Sequence, residues 1–149
     1  MKALLQRVSE AKVLISGKIV GEINQGYVIL LGVKEGDSEK DADLLAEKIV
    51  NLRVMSDENK KMNKSILDVA GEILVVSQFT LYADTNSGRR PSFLTAAKPE
   101  EANKLYEYFI GKLKLLGVKN VQTGVFGAYM SVELANDGPV TIMLEAEDF

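Results

Sequence analysis

Gly26-Tyr27-Val28-Ile29-Leu30-Leu31-Gly32 is the stretch on which the fold turns. Its apolar residues run without alternation, the pattern of a strand covered on both faces. Even extended to Val33, the run is less than half a membrane span. Upstream, residues 2–9 and 11–15 carry β-branched and aliphatic side chains and read as strand. Ser16-Gly17 lies between Val13-Leu14-Ile15 and Ile19-Val20, the signal of a two-residue hairpin. Downstream, Ser38 with Asp41 three positions on resembles a capping box, and Ala42, Leu45, Ile49 and Leu52 then fall on one helical stripe. A second helix opens at Pro99, with Glu100 and Glu101 at the positive end of its dipole, and stops at Gly117. Its predicted buried stripe is Ala102, Leu105, Phe109, Leu113 and Leu116.

Further strands are expected over Ser65–Val69, Glu72–Tyr82, Lys119–Thr123, Ala128–Ala135 and Val140–Ala146. No linker, repeat or low-complexity tract divides the chain, so residues 1–149 are read as one domain. Seven or more strands with two main helices predict an α+β domain built on a curved, largely antiparallel sheet or partial β-barrel. The pattern leaves strand order undetermined.

Composition narrows the chemistry. The 149 residues contain no cysteine and no histidine, and 18 Lys+Arg stand against 21 Asp+Glu, a net charge of −3. Disulfide scaffolds, thiolate or imidazole metal sites, Cys nucleophiles and imidazole-based triads are therefore excluded. No cofactor and no metal is expected. The N-terminus reaches Arg7 before an apolar signal region can build up, and with no cysteine to suggest an oxidising compartment a cytoplasmic location is expected. Net acidity argues against a broad electrostatic grip on nucleic acid but leaves room for a local basic patch.

With imidazole and thiol gone, nucleophiles must be hydroxyls, and bases must be carboxylates, Lys or Tyr. The carboxylates form no convincing pair: Asp41 and Asp43 lie on a polar helical face, and Glu145, Glu147 and Asp148 form an acidic tail. Gly124-Val125-Phe126-Gly127 is too short for a nucleotide-binding fingerprint, and no P-loop appears. Two polar segments stand out instead. Ser77-Gln78-Phe79-Thr80-Leu81-Tyr82 ends the apolar run Ile73–Val76. If the strand continues, Ser77, Phe79 and Leu81 share one face and Gln78, Thr80 and Tyr82 the other. Such a stretch either lines a pocket or forms a half-exposed face. Asn136-Asp137-Gly138-Pro139-Val140-Thr141 reads by pattern as a hairpin turn, because Asp-Gly between strands is a common type I′ signal. A third stretch, Asn86 to Phe93, holds the only Arg pair, Arg89-Arg90, which either neutralises phosphates or is plain surface charge.

Taken together and in order, the Ser77–Tyr82 segment, the Gly88-Arg89-Arg90-Pro91-Ser92-Phe93 loop and the Asn136–Thr141 segment resemble the D-aminoacyl-tRNA deacylase family. Gln6-Arg7-Val8 and the Gly26–Gly32 strand share the likeness, which spans essentially the whole chain. The resemblance implies an ester hydrolase that frees a D-amino acid, or glycine, from the 3′-terminal ribose of tRNA. It also implies a homodimer with active sites at the interface, where a Gly–cis-Pro unit of each subunit enters the other's pocket.

Carried over residue by residue, that unit is Gly138-Pro139, Arg7 holds it in place, and the pocket strand is Ser77, Gln78, Phe79 and Thr80. This replaces the hairpin reading at residues 137–139. Arg89, Arg90 and Lys98 are the candidate RNA contacts. Two competing readings stay open: a tRNA-end-binding module without catalysis, and a hydrolase of free D-amino-acid esters that ignores RNA.

Overall fold

The computed structural model describes residues 1–149. Its strands are β1 (Lys2–Ile15), β2 (Lys18–Ile23), β3 (Gly26–Gly32), β4 (Met55–Ser56), β5 (Met62–Lys64), β6 (Glu72–Ser77), β7 (Val121–Thr123) and β8 (Ser131–Glu145). The two helices are α1 (Glu39–Asn51) and α2 (Pro99–Leu115). The main sheet runs β2-β1-β3-β6-β7, with β8 added along β1. Every pairing made by β1 is antiparallel, whereas β3–β6 and β6–β7 are parallel.

The sheet curls until its ends meet. At Gly21 of β2, an added Cβ would lie 2.4 Å from the Thr123 carbonyl oxygen of β7, so only glycine permits this approach. Nearby, the Glu72 carboxylate accepts from the Asn24 backbone N–H at 3.3 Å and the Asn120 side-chain amide at 2.6 Å, tying β2, β6 and the entry to β7. The α+β, barrel-like expectation holds.

The unalternating apolar run of β3 is explained by the two cores it separates. Tyr27, Ile29 and Leu31 join the cluster under the helices, while Val28 joins a second cluster with Val8, Val13, Ile23, Leu74 and Val76 on the opposite face. Helix α1 contributes Ala42, Leu45 and Ile49 to the first core, and the Ser38 N–H donates to the Asp41 carboxylate at 2.8 Å, as a capping box requires. Helix α2 starts on Pro99 and buries Ala102, Phe109 and Leu113. Its buried face also includes Tyr106 and Ile110, while Leu105 and Leu116 are only partly covered.

Three expectations are corrected. Residues 65–69 are not a strand but a turn, closed because the Ser65 N–H donates to the Asp68 carboxylate and the Asp68 N–H to the Ser65 hydroxyl. The strand predicted over Glu72–Tyr82 ends at Ser77, and Phe79–Tyr82 form a 3₁₀ turn. Finally, the strands predicted over 128–135 and 140–146 are one continuous β8, because both halves pair with β1 and not with each other. The hairpin β4–β5 carries no signal in the apolar pattern.

Candidate active site

The polar end of β6 is built by a change of backbone geometry. Gln78 donates its N–H to the Leu31 carbonyl at 2.8 Å, continuing the contact with β3, and the chain then tightens into the 3₁₀ turn. Within that turn the Leu81 N–H reaches the Gln78 carbonyl at 3.3 Å and the Ala83 N–H the Thr80 carbonyl at 3.1 Å. The first N–H groups of a helical turn have no acceptor inside it. Accordingly, the Phe79 and Thr80 N–H groups, at the start of the turn, have no acceptor within it. The alternating faces expected for an extended strand are therefore replaced by two adjacent donors on one short turn. The Gln78 side-chain amide donates to the Thr80 hydroxyl oxygen, fixing that side chain.

Beside the turn lies a cavity of about 650 Å³. Ser77, Gln78 and Phe79 border it, with apolar walls from Val76, Phe93, Phe126 and Met130. Phe79 and Phe93 pack edge to face with centroids 5.0 Å apart, although Phe79 remains 53% exposed. Lys98, at the N-terminal end of α2, is the one charged residue on the rim. No carboxylate or imidazole is available there to serve as a base.

The Asn86–Phe93 loop joins the same rim. Its ends are closed by reciprocal 2.8 Å backbone bonds between Asp84 and Ser92, which seat Phe93 against the cavity. Arg89 and Arg90 are exposed on this loop, and neither makes an ion pair.

Elsewhere on the molecule sits the second group of predicted residues. Between the pairs Gln6↔Thr141 and Val8↔Asn136, β8 uses more residues than β1, and the excess bulges outward around Gly138-Pro139. The Gly138-Pro139 peptide is cis. Arg7, only 7% exposed, stands behind the bulge: its Nε donates to the Asp137 carbonyl at 3.0 Å and Nη1 donates to the Val54 carbonyl at 2.7 Å. The Asp137 carboxylate lies 3.4 Å from Nε, and the Ser56 hydroxyl 3.4 Å from Nη1. Gly138 has φ +129, and an added Cβ would be 2.9 Å from Val140 Cγ2 and 3.2 Å from Arg7 Nη2. Both Gly138 and Pro139 are exposed, and neither borders the Ser77–Phe79 cavity.

Within one chain, then, the predicted residues fall into two sets. Ser77, Gln78, Phe79 and Lys98 border the cavity, with Thr80 next along the 3₁₀ turn and Arg89 and Arg90 on the adjoining loop, whereas Arg7, Gly138 and Pro139 gather around the bulge. Sequence reasoning missed the Val54 and Asp137 carbonyls that receive Arg7. No side-chain pattern marks a main-chain acceptor.

A second cavity of about 640 Å³ opens among Glu10, Lys12, Glu22, Glu72, Asn120 and Glu133. Its four carboxylates would repel a polyanion, so the apolar cavity is the better candidate.

Comparison with known proteins settles the lineage. Residues 4–145 match the family model described as D-Tyr-tRNA(Tyr) deacylase. The chain belongs to that family, one of hydrolases. It is 61% identical over 145 residues to the D-aminoacyl-tRNA deacylase of Geotalea uraniireducens, covering 97% of this chain and 93% of that protein. The Thermus aquaticus D-aminoacyl-tRNA deacylase is 55% identical over 148 residues, covering 99% and 97% respectively. A solved structure named c-Myc DNA Unwinding Element Binding Protein superposes with a TM-score of 0.92 at 42% identity, covering 97% of this chain and 98% of that one. The backbone of that solved structure therefore follows this fold over nearly the whole of both chains. No helix is long and apolar enough to cross a membrane.

Proposed function

We propose that the protein hydrolyses the ester of D-aminoacyl-tRNA, releasing the D-amino acid and tRNA, and that glycyl esters are also cleaved. The observation that carries this reading is the pair of N–H groups at Phe79 and Thr80 that open a 3₁₀ turn, beside an apolar cavity bordered by no carboxylate or imidazole. An aminoacyl ester is an activated acyl group, and its hydrolysis passes through an oxyanion. One well-placed donor to such an oxyanion contributes roughly 3–4 kcal/mol of transition-state stabilisation. Positioning the ester against those donors contributes further.

Thr80 orients the substrate and does not attack it. Its hydroxyl oxygen already accepts from the Gln78 amide, and no carboxylate or imidazole borders the cavity to take its proton. The 2′-hydroxyl of the terminal ribose supplies the proton-transfer chemistry that the side chains lack. Arg89, Arg90 and Lys98 hold the nearby phosphates, a small footprint that implies a shallow salt dependence.

L-aminoacyl esters are rejected by Gly138-Pro139 of a second copy. The bulge is exposed and braced from behind by Arg7, which suits a rigid wall presented to another surface. A main-chain wall excludes an L side chain by steric clash and leaves the identity of a D side chain unconstrained. The protein acts as a homodimer in this reading, since the bulge and the cavity of one chain do not meet.

Matched D- and L-aminoacyl-tRNA incubated with the purified protein provide the test. Release from the D substrate with the L substrate spared is the expected result. Binding of tRNA without release would leave an RNA-end-binding module, and equal cleavage of free D-amino-acid esters would leave a small-molecule hydrolase.

A further inference from the structure

The β4–β5 hairpin concentrates charge that the site described so far does not use. Between Arg53 and Lys64 the chain carries four cations and two carboxylates, in a protein of net charge −3. Lys64 is paired with Glu58, but Lys60 and Lys61 at the tip make no ion pair and are exposed. The tip is held in one shape by Asp57, whose carboxylate accepts from the Asn59 and Lys61 N–H groups at 2.8 and 2.9 Å and from the Asn63 amide at 2.8 Å. Those bonds, the Asn63 amide foremost, hold the Asp57 carboxyl below the usual range, so the tip keeps this shape at neutral pH. Lys60 sits at φ +61, a conformation a lysine rarely adopts.

The root of the hairpin is tied to the bulge. Arg7 donates through Nη1 to Val54 and Ser56 at the start of the hairpin and through Nε to Asp137 beside Gly138. One buried guanidinium therefore couples both segments, and wherever Gly138-Pro139 docks, the hairpin docks beside it. We propose that the β4–β5 hairpin of one copy grips, through Lys60 and Lys61, the sugar–phosphate backbone of the RNA whose 3′ end occupies the cavity of the other copy. This rests on the reading that Gly138-Pro139 crosses the dimer interface. An acidic protein needs such local cations to approach a polyanion, and Arg89, Arg90 and Lys98 approach the RNA from the cavity's own subunit.

The test uses the full-length protein and uncharged tRNA bearing its CCA end, with affinity measured across salt concentrations. Lys60→Gly/Lys61→Ala is expected to weaken binding about 10-fold and to flatten the salt slope by about 1.4–1.8, the loss of two phosphate contacts. Lys60→Glu/Lys61→Glu weakens it further. Hydrolysis of a D-aminoacyl ester of adenosine alone stays unchanged in both variants. An unchanged tRNA affinity and slope overturns the proposal, while wild-type deacylation in the same variants leaves the functional reading standing. Tip-dependent binding without deacylation does the opposite.

Mixed dimers locate the contact. A tip-neutralised subunit is paired with one whose cavity is filled by Ala96→Trp, so the only open cavity belongs to the tip-neutralised subunit. Deacylation of tRNA with the wild-type salt slope is expected, and a flattened slope would assign the tip to its own cavity and overturn the trans arrangement.

Discussion

Arg7 Nε donates to the carbonyl oxygen of Asp137 at 3.0 Å across 130 positions of sequence. This bond, with that from Nη1 to Val54, fixes the backbone that carries Gly138. Hydrogen bonds from a charged donor contribute about 1.5–3 kcal/mol each, and carbonyls left unpaired cost free energy as well. Arg7→Ala should therefore destabilise the protein by about 2–4 kcal/mol in urea unfolding. It should also raise hydrolysis of L-aminoacyl-tRNA. Arg7→Lys keeps the charge but lacks the fork needed to reach both carbonyls, so its effect should fall between. Unchanged stability and unchanged L-rejection in Arg7→Ala would remove the bracing role.

Gly138→Ala places a methyl group 2.9 Å from Val140 Cγ2 and 3.0 Å from the Val140 nitrogen at a residue with φ +129. Such strain costs about 1–3 kcal/mol. The bulge should shift, and the ratio of D to L hydrolysis should fall. Measured side by side with wild type, a variant with full activity and full L-rejection would disconnect Gly138 from chiral selection.

Thr80→Val keeps shape and removes the hydroxyl that accepts from Gln78. If Thr80 only positions substrate, the single-turnover rate on D-aminoacyl-tRNA should fall by less than about 100-fold. A loss of about 10⁴-fold or more, with tRNA binding intact, would make Thr80 the nucleophile.

Stability should respond to alkali. Burial pushes the phenols of Tyr27 and Tyr82 well above their ordinary value and that of Tyr106 up to about 12, while the Tyr106 hydroxyl donates to the Val75 carbonyl at 2.9 Å. In the unfolded chain these phenols ionise near pH 10. Because their folded values are raised, the stability they contribute is intact below about pH 10 and falls as pH rises beyond it. Urea midpoints measured from pH 9 to 12 should decline most steeply above 10. A flat profile there would mean the phenols are solvated in the folded protein.

Much of the scaffold was legible because local chemistry and tertiary packing agree. Ser38 with Asp41 marks the start of α1, Pro99 and Gly117 bracket α2, and Ser16-Gly17 turns β1 into β2 with both residues at positive φ. The failures have a common cause: the deciding partner lies far away in sequence. Asp137-Gly138 is a sound hairpin signal until β1 pairs with residues on both sides of it and Arg7 takes the Asp137 carbonyl. Ser77–Tyr82 reads as strand because its residues suit a sheet, yet β3 ends at Gly32 and offers no neighbour past the Gln78–Leu31 bond. Of the candidate site, the residues proposed here could be named from the motifs. Their division into two separated sets could not, because the pattern leaves strand order open.

The proposed catalysis, with no imidazole, thiol or paired carboxylate, assigns the proton transfer to the substrate, and that is open to direct measurement. D-aminoacyl-tRNA ending in 2′-deoxyadenosine should be bound as well as the normal substrate and deacylated at least about 100-fold more slowly in a single turnover. Deacylation of the deoxy substrate at the full rate would contradict the account, since a group on the protein would then be performing the step assigned to the RNA.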